Sequence, residues 1–448
     1  MLDATLSIVT DLVRDAAHPL TGAVADYDPL LEFIGDARFV LLGEASHGTH
    51  EFYRQRAQIT KRLIEEKGFT GIAVEADWPD AYRVNRYVRG TSADSDAVEA
   101  LSGFKRFPAW MWRNADVLDF VGWLRAYNDS LPADATKAGF YGLDLYSLHA
   151  SIEAVLNYLD KVDPVGAGRA RRRYACFEHF GQDPQEYGYA AGLGLSHTCE
   201  SEVIAQLIDL QRRSAEYARR DGRIAADEFF YAEQNARLVK NAEEYYRTMF
   251  RGRISSWNLR DAHMVDTLDS LVQYSVLHHQ GGKFVVWAHN SHLGDARATQ
   301  MGRAGEWNVG QLVRQKYGHD CVLIGFTTYG GTVTAASNWG GPAERKRVRP
   351  AMPGSYESLF HDSGLPSFLL TMPHGTHVAN GLRQRMLERA IGVIYLPESE
   401  LASHYFDARI SDQFDAIMHF DQTRAVEPLE PTGEWEVGEP AETFPTGI

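Results

Sequence analysis

Short apolar runs recur along the chain, each closed by glycine or polar residues. They are Arg38–Leu42, Gly71–Glu75, Gly139–Leu143, Lys283–Trp287, Cys321–Phe326 and Val393–Leu396. Runs of this length, rich in Val, Ile and aromatic residues and lacking alternation, predict strands buried on both faces. Between the first two, Glu51–Lys67 reads as a helix ending at Gly68, where a left-handed cap is expected. A strand, a helix and a strand in close succession form a βαβ unit, hence a parallel pair. The predicted class is α/β, a mostly parallel central sheet flanked by helices.

The pattern changes between residues 147 and 276. Charged amphipathic segments, notably Glu200–Arg220 and Asp227–Arg251, place apolar residues at helical spacing, and no strand run interrupts them. An inserted, mainly helical subdomain is expected there. It separates a first part of the α/β core (residues 1–146) from a second (residues 277–424). Residues 425–448 hold Pro428, Pro431, Pro440 and Pro445 among many glutamates and read as an extended acidic tail. No repeat of solenoid period appears.

Composition narrows the function. Of 448 residues, 45 are Lys or Arg and 60 are Asp or Glu, a formal charge of −15. Nucleic acid and anionic membrane surfaces are disfavoured partners, because phosphate binding needs a basic face. At 44% hydrophobic and 23% charged, the chain can bury a large core. The N-terminus lacks a basic start followed by an apolar run, and no run is long enough to span a bilayer. Cys176, Cys199 and Cys321 are widely spaced and odd in number. They suggest three free thiols in a reducing compartment, and a cytoplasmic protein is expected. Oligomeric state is not readable.

The candidate chemistry lies at the strand ends. The first run leads into Glu44 and His47, the second ends in Glu75, the third leads to Asp144, and the fourth to His289 and His292. In an open parallel sheet the carboxyl ends of strands share one crevice, where ligands bind. Any one of these residues alone would more often cap a helix or make a structural hydrogen bond. Their coincidence at four strands points to acid–base chemistry, since burial and mutual charge can tune such groups toward neutrality. Familiar signatures are missing. Gly43-Glu-Ala-Ser-His-Gly48 is not a Gly-x-Ser-x-Gly elbow, His50-Glu51 opens no zinc helix, and no Walker loop or dinucleotide fingerprint is completed.

The same residues resemble a known family. Gly43-Glu-Ala-Ser-His-Gly48, then Glu51, Phe52 and Arg56, then Val74-Glu75-Ala-x-Trp78, then Val84, Asn85, Tyr87 and Val88, look like the opening of the erythromycin esterase family. Trp287-Ala-His289-Asn-x-His292 resembles its second signature, and Arg260-Asp261-x-x-Met264 a weaker third. The resemblance implies hydrolysis of a carboxylic ester or lactone, a macrolide macrolactone among the candidates, by water activated directly by histidine. Carried over, it makes His47 the general base, with Glu44 orienting it and Glu75 and Arg56 beside it. His289 would hold or polarise the substrate carbonyl, and His292, counted among the substrate-binding residues, would support from behind the site or from its rim. No cofactor and no metal is implied.

The aromatic stretch Phe104–Asn114 fits the lining of a cleft, with Trp110 and Asn114 facing substrate. Asp144, Tyr146 and Arg260 are placed with them as substrate-binding residues. Two other readings stay open. Glu44, His47, Glu75, His289 and His292 are acceptable ligands for a metal-dependent hydrolase. The same cleft could also serve a non-catalytic small-molecule binding protein.

Overall fold

In a computed structural model the chain is described over residues 2–180, 183–217, 222–250 and 252–438. Nine strands form one sheet: β1 (His18–Pro19), β2 (Phe39–Leu42), β3 (Gly71–Asp77), β4 (Gly139–Asp144), β5 (Phe284–Trp287), β6 (Cys321–Ala335), β7 (Glu344–Val348), β8 (Ser367–Thr371) and, last in the chain, β11 (Ala416–Thr423). A separate two-stranded sheet pairs β9 (Met386–Arg389) with β10 (Tyr405–Ala408). The large sheet runs β1-β8-β11-β6-β2-β5-β3-β4, with β7 paired to the far end of β6. From β11 to β4 every neighbour is parallel, whereas β8, β1 and β7 add antiparallel edges.

The strand run is doubly covered, as its unbroken hydrophobicity requires. Phe39 and Leu41 pack into one apolar cluster and Val40 and Leu42 into another, on opposite faces. The helix His50–Lys67 returns the chain from β2 to β3 and stops at Gly68, in the left-handed conformation at φ 69°. Between β4 and β5 the described chain is helical, including Leu148–Val162, Glu200–Arg212, Gly222–Thr248 and Arg253–Leu277. The segment expected to be helical through Arg220 breaks after the helix Glu200–Arg212 and resumes as Ser214–Tyr217, while Arg220, and Arg251 at the end of the second expected segment, lie outside the described residues. Arg213 and Tyr217 instead turn to Asp163, at 2.7 and 2.9 Å.

Three further expectations need correction. Val393–Leu396 forms no strand: only Ile394 bridges to Ala336, and Tyr395 is drawn into a polar contact with Glu400 at 2.9 Å. The segment after 425 is not a free tail up to its described end. Ala425 and Pro428 bridge to Thr49 and Asn114, and Gly433–Val437 is a short helix. Residues 439–448 lie outside the described residues. Cys176 and Cys199 are joined in a disulfide, and Cys321 alone is free among the described residues. Their spacing of 23 residues hides this pairing, which helix packing creates. It removes the thiol-based ground for a reducing compartment. Among the described residues no helix is long and apolar enough to cross a membrane.

Candidate active site

The four strands that carry the polar ends lie side by side, in the order β2-β5-β3-β4. Their registers align Leu42 and Val74 with Trp287, and Asp77 with Asp144, so the residues beyond them emerge at one edge. A bulge in β3 adds to this. Val74 pairs with Gly142 but Asp77 pairs with Asp144, leaving one extra residue around Glu75 and Ala76. Bulges re-aim side chains beside active sites. Gly142 permits this one, because a Cβ there would sit 2.5 Å from the Ala76 carbonyl oxygen. Asn290 clamps the neighbouring ends: its backbone N–H donates to Glu44 O and its amide to Phe326 O, both at 2.8 Å.

Two relays converge on the crevice. In the first, Arg56 Nη2 lies 2.6 Å from Glu44 Oε2, an ion pair lacking well-aligned hydrogen-bond geometry, and Glu44 Oε1 lies 2.9 Å from His47 Nδ1. Arg56 is fully buried, its guanidinium over the rings of Tyr53 and Trp287. In the second, Arg260 donates twice to Asp144, at 3.0 and 2.6 Å, and to Glu75 Oε1 at 2.7 Å. Glu75 Oε2 accepts from the His289 backbone N–H at 2.9 Å. His292 Nδ1 faces both oxygens of Asp261, at 2.9 and 3.0 Å, and its ring stacks on Trp257 at 4.4 Å. The rings of His47 and His289 face each other, centroids 4.9 Å apart.

The chain matches the erythromycin esterase family over residues 64–423, most of its length. It belongs to that family. A relative from Escherichia coli, erythromycin esterase type II, is 23% identical over 415 residues, spanning 84% of this chain and 93% of that one. Two solved structures share the fold. A succinoglycan biosynthesis protein, 22% identical, superposes with a TM-score of 0.75 over 95% of this chain and 99% of its own. An erythromycin esterase mutant in its open conformation, 18% identical, gives 0.65 over 90% and 95%. Family membership supports a hydrolase acting on a small molecule.

In this erythromycin esterase family member, the electrostatics divide the histidines. Burial, reinforced by the charge of His47, pushes His289 down to about 3, so its ring is neutral near pH 7. The Ser291 backbone N–H donates to His289 Nδ1 at 3.2 Å, which leaves the proton on Nε2. That Nε2 is buried and makes no well-aligned hydrogen bond among the described residues, although the Ala45 backbone carbonyl stands near enough to the ring to favour its proton. Burial also opposes charge on His292, as does Arg260 Nη1 at 3.0 Å from Nε2, but Asp261 and Glu75 outweigh both and raise it to about 9. Burial likewise works against Glu75, yet His292 and Arg260 hold it well below the usual carboxylate range.

Two cavities, of about 380 and 190 Å³, meet at His47, Glu75 and Arg260, which line both. His289, His292 and Trp257 face the larger; Asp144, Tyr146, Arg106 and the aromatic residues Phe107, Trp112 and Trp339 face the smaller. Glu44 and Arg56 sit behind His47 rather than in either cavity. Two expected substrate contacts are placed elsewhere. Asn114 caps the helix Ala115–Ser130, accepting from Val117 N–H at 2.9 Å, and Trp110 packs in the core. Arg260 spends its donors on Asp144 and Glu75 and stands beside the His292 ring, so it organises carboxylates instead of offering a free guanidinium. Asp261 and Ser291 are site residues that sequence reasoning misses. Both stand inside the family motifs, beside Arg260 and His289, and that adjacency is the available signal. Among the described residues no three His, Cys, Asp or Glu side chains are grouped to hold a metal ion.

Proposed function

We propose that this chain hydrolyses a carboxylic ester or lactone through a water deprotonated by His47, with no acylated enzyme. The observation that carries the reading is the facing pair of imidazoles. One is held through Nδ1 by a buried carboxylate, and the other keeps a buried Nε2–H with no well-aligned partner beside the Ala45 carbonyl. His47 Nε2 takes a proton from water as the hydroxide oxygen bonds the carbonyl carbon. Glu44, backed by Arg56, stabilises the imidazolium that forms. The oxyanion receives the His289 Nε2–H, a contact of the kind worth about 2.7–4 kcal/mol in the transition state. Collapse breaks the carbon–oxygen ester bond, and the leaving alkoxide takes its proton back from His47.

Ser291 offers a competing nucleophile, since its hydroxyl lies 2.8 Å from His289 Nδ1. A base lowered to about 3 is a poor proton acceptor near neutrality, which argues against that route. The two cavities meeting at His47 suit an ester whose acyl and alcohol parts extend in opposite directions, one into an aromatic lobe. A macrolactone is one candidate. The test is a panel of esters and lactones, macrolides included, read by product mass, with intact-protein mass recorded during turnover. Products whose summed mass exceeds that of the substrate by one water, with no acyl adduct on the protein, are expected. An adduct on Ser291, or no hydrolysis across the panel, would overturn the proposal.

A further inference from the structure

A second polar cavity lies away from the histidines. The helix Trp78–Val88 starts at the carboxyl end of β3 and runs back, so Arg86 and Arg89 stand near the opposite edge of the sheet. Lys137 joins them two residues before β4 begins. These three cations line a cavity of about 240 Å³ between the core and the long helices Gly222–Thr248 and Arg253–Leu277. In a chain of charge −15, such a gathering of positive charge is uneven.

One bland explanation is that cations collect wherever a helix ends, because its terminal carbonyls attract them. Two of the three are answered by local groups, Lys137 also by Asp129 at 3.8 Å. Lys137 Nζ donates to Arg89 O and Arg86 Nη2 to Thr91 O, each at 3.2 Å. Arg89 is not. Its guanidinium has one hydrogen bond, a long 3.4 Å contact to the Tyr141 hydroxyl, and no carboxylate within ion-pair distance among the described residues. A partly buried guanidinium in such a position is costly unless an anion answers it. Among the described residues the one carboxylate lining the cavity is Asp227, which favours the Arg89 charge from beyond ion-pair distance and is itself hydrogen-bonded by the Tyr274 hydroxyl.

Much of the remaining wall is aromatic, completed by Asn85, Thr91, Ala133 and Ala135. Tyr82, Tyr141, Phe230 and Tyr274 line the cavity, with Phe230 stacked on Tyr274 at 4.2 Å. Flat rings beside guanidinium groups suit a flat ligand with an acidic substituent. The volume lies below the range of about 300–1,000 Å³ typical for drug-sized ligands, so the ligand is small. We propose that this cavity binds a small planar organic anion, a single ring bearing a carboxylate or a phosphate, with Arg89 as its principal anchor. The site is independent of the ester chemistry.

The experiment is calorimetric titration of the full chain with salicylate, phenyl phosphate, inorganic phosphate and benzyl alcohol. Salicylate or phenyl phosphate should bind at least tenfold more tightly than either inorganic phosphate or benzyl alcohol, and the stronger of the two identifies the acidic group. Arg89→Met should weaken that binding tenfold or more, while His47→Ala should leave it unchanged. Should Arg89→Met fail to fold, the exposed Arg86→Gln variant should still weaken binding threefold or more. Aromatic anions that fail to bind, that bind equally to the folded arginine variants, or that lose binding in His47→Ala would overturn the proposal.

Discussion

At the scale of single residues, the site depends on buried charges that balance one another. Arg56 and Glu44 are each almost wholly removed from water, so neither is tolerable alone. Arg56→Met strands the Glu44 carboxylate and should cost about 3–5 kcal/mol, read by urea unfolding, while kcat falls because His47 loses its orientation. Asp80 provides a second test. It lines the smaller cavity, and burial together with Asp77 pushes it up to about 7. An ordinary unfolded carboxyl titrates near 4. Between about pH 4 and 7 the folded chain therefore holds a proton that the unfolded chain has released, and stability drains as pH rises. Asp80→Asn should be more stable than the wild type at pH 7 and above, with the difference closing toward pH 4 in unfolding curves. Equal stability at pH 8 would show that burial imposes no such cost.

At the scale of elements, strand ends are where sequence and structure agree best. Glu44, His47, Glu75, Asp144, His289 and His292 are legible because hydrophobic runs mark β2 to β5, and parallel topology then fixes where their ends meet. Loop residues beyond the strand ends are less legible. Asn114 resembles a substrate contact until its carbonyl is seen capping a helix. β8 and β11 are hard to read from polarity, the latter because His419 breaks its apolar run, although its side chain is buried against Thr327. The β3 bulge is invisible to any pattern of polarity, yet Gly142 marks it. Gly142→Ala would set a methyl 2.5 Å from a backbone oxygen and should destabilise the chain by about 1–3 kcal/mol. Because the bulge sets Glu75 and Asp77, kcat should drop in the same variant. Unchanged stability would mean the two strands can part freely there.

At the scale of the whole molecule, the helices between β4 and β5 do more than decorate the sheet. They deliver Arg260 and Asp261 to the site and close both the catalytic crevice and the arginine-lined cavity. Sequence spacing could suggest helices but not which of their faces returns to the core, since that is decided by packing. The disulfide belongs to the same region and is testable directly. Alkylation of the unreduced, denatured chain should label Cys321 alone, and prior reduction should expose all three thiols. The most direct measurement for the central claim is turnover of one competent ester by wild type and His47→Ala, with both unfolding curves in hand. A fall in kcat of about 10²–10⁴ at unchanged stability is the predicted result. Full turnover by His47→Ala would contradict it.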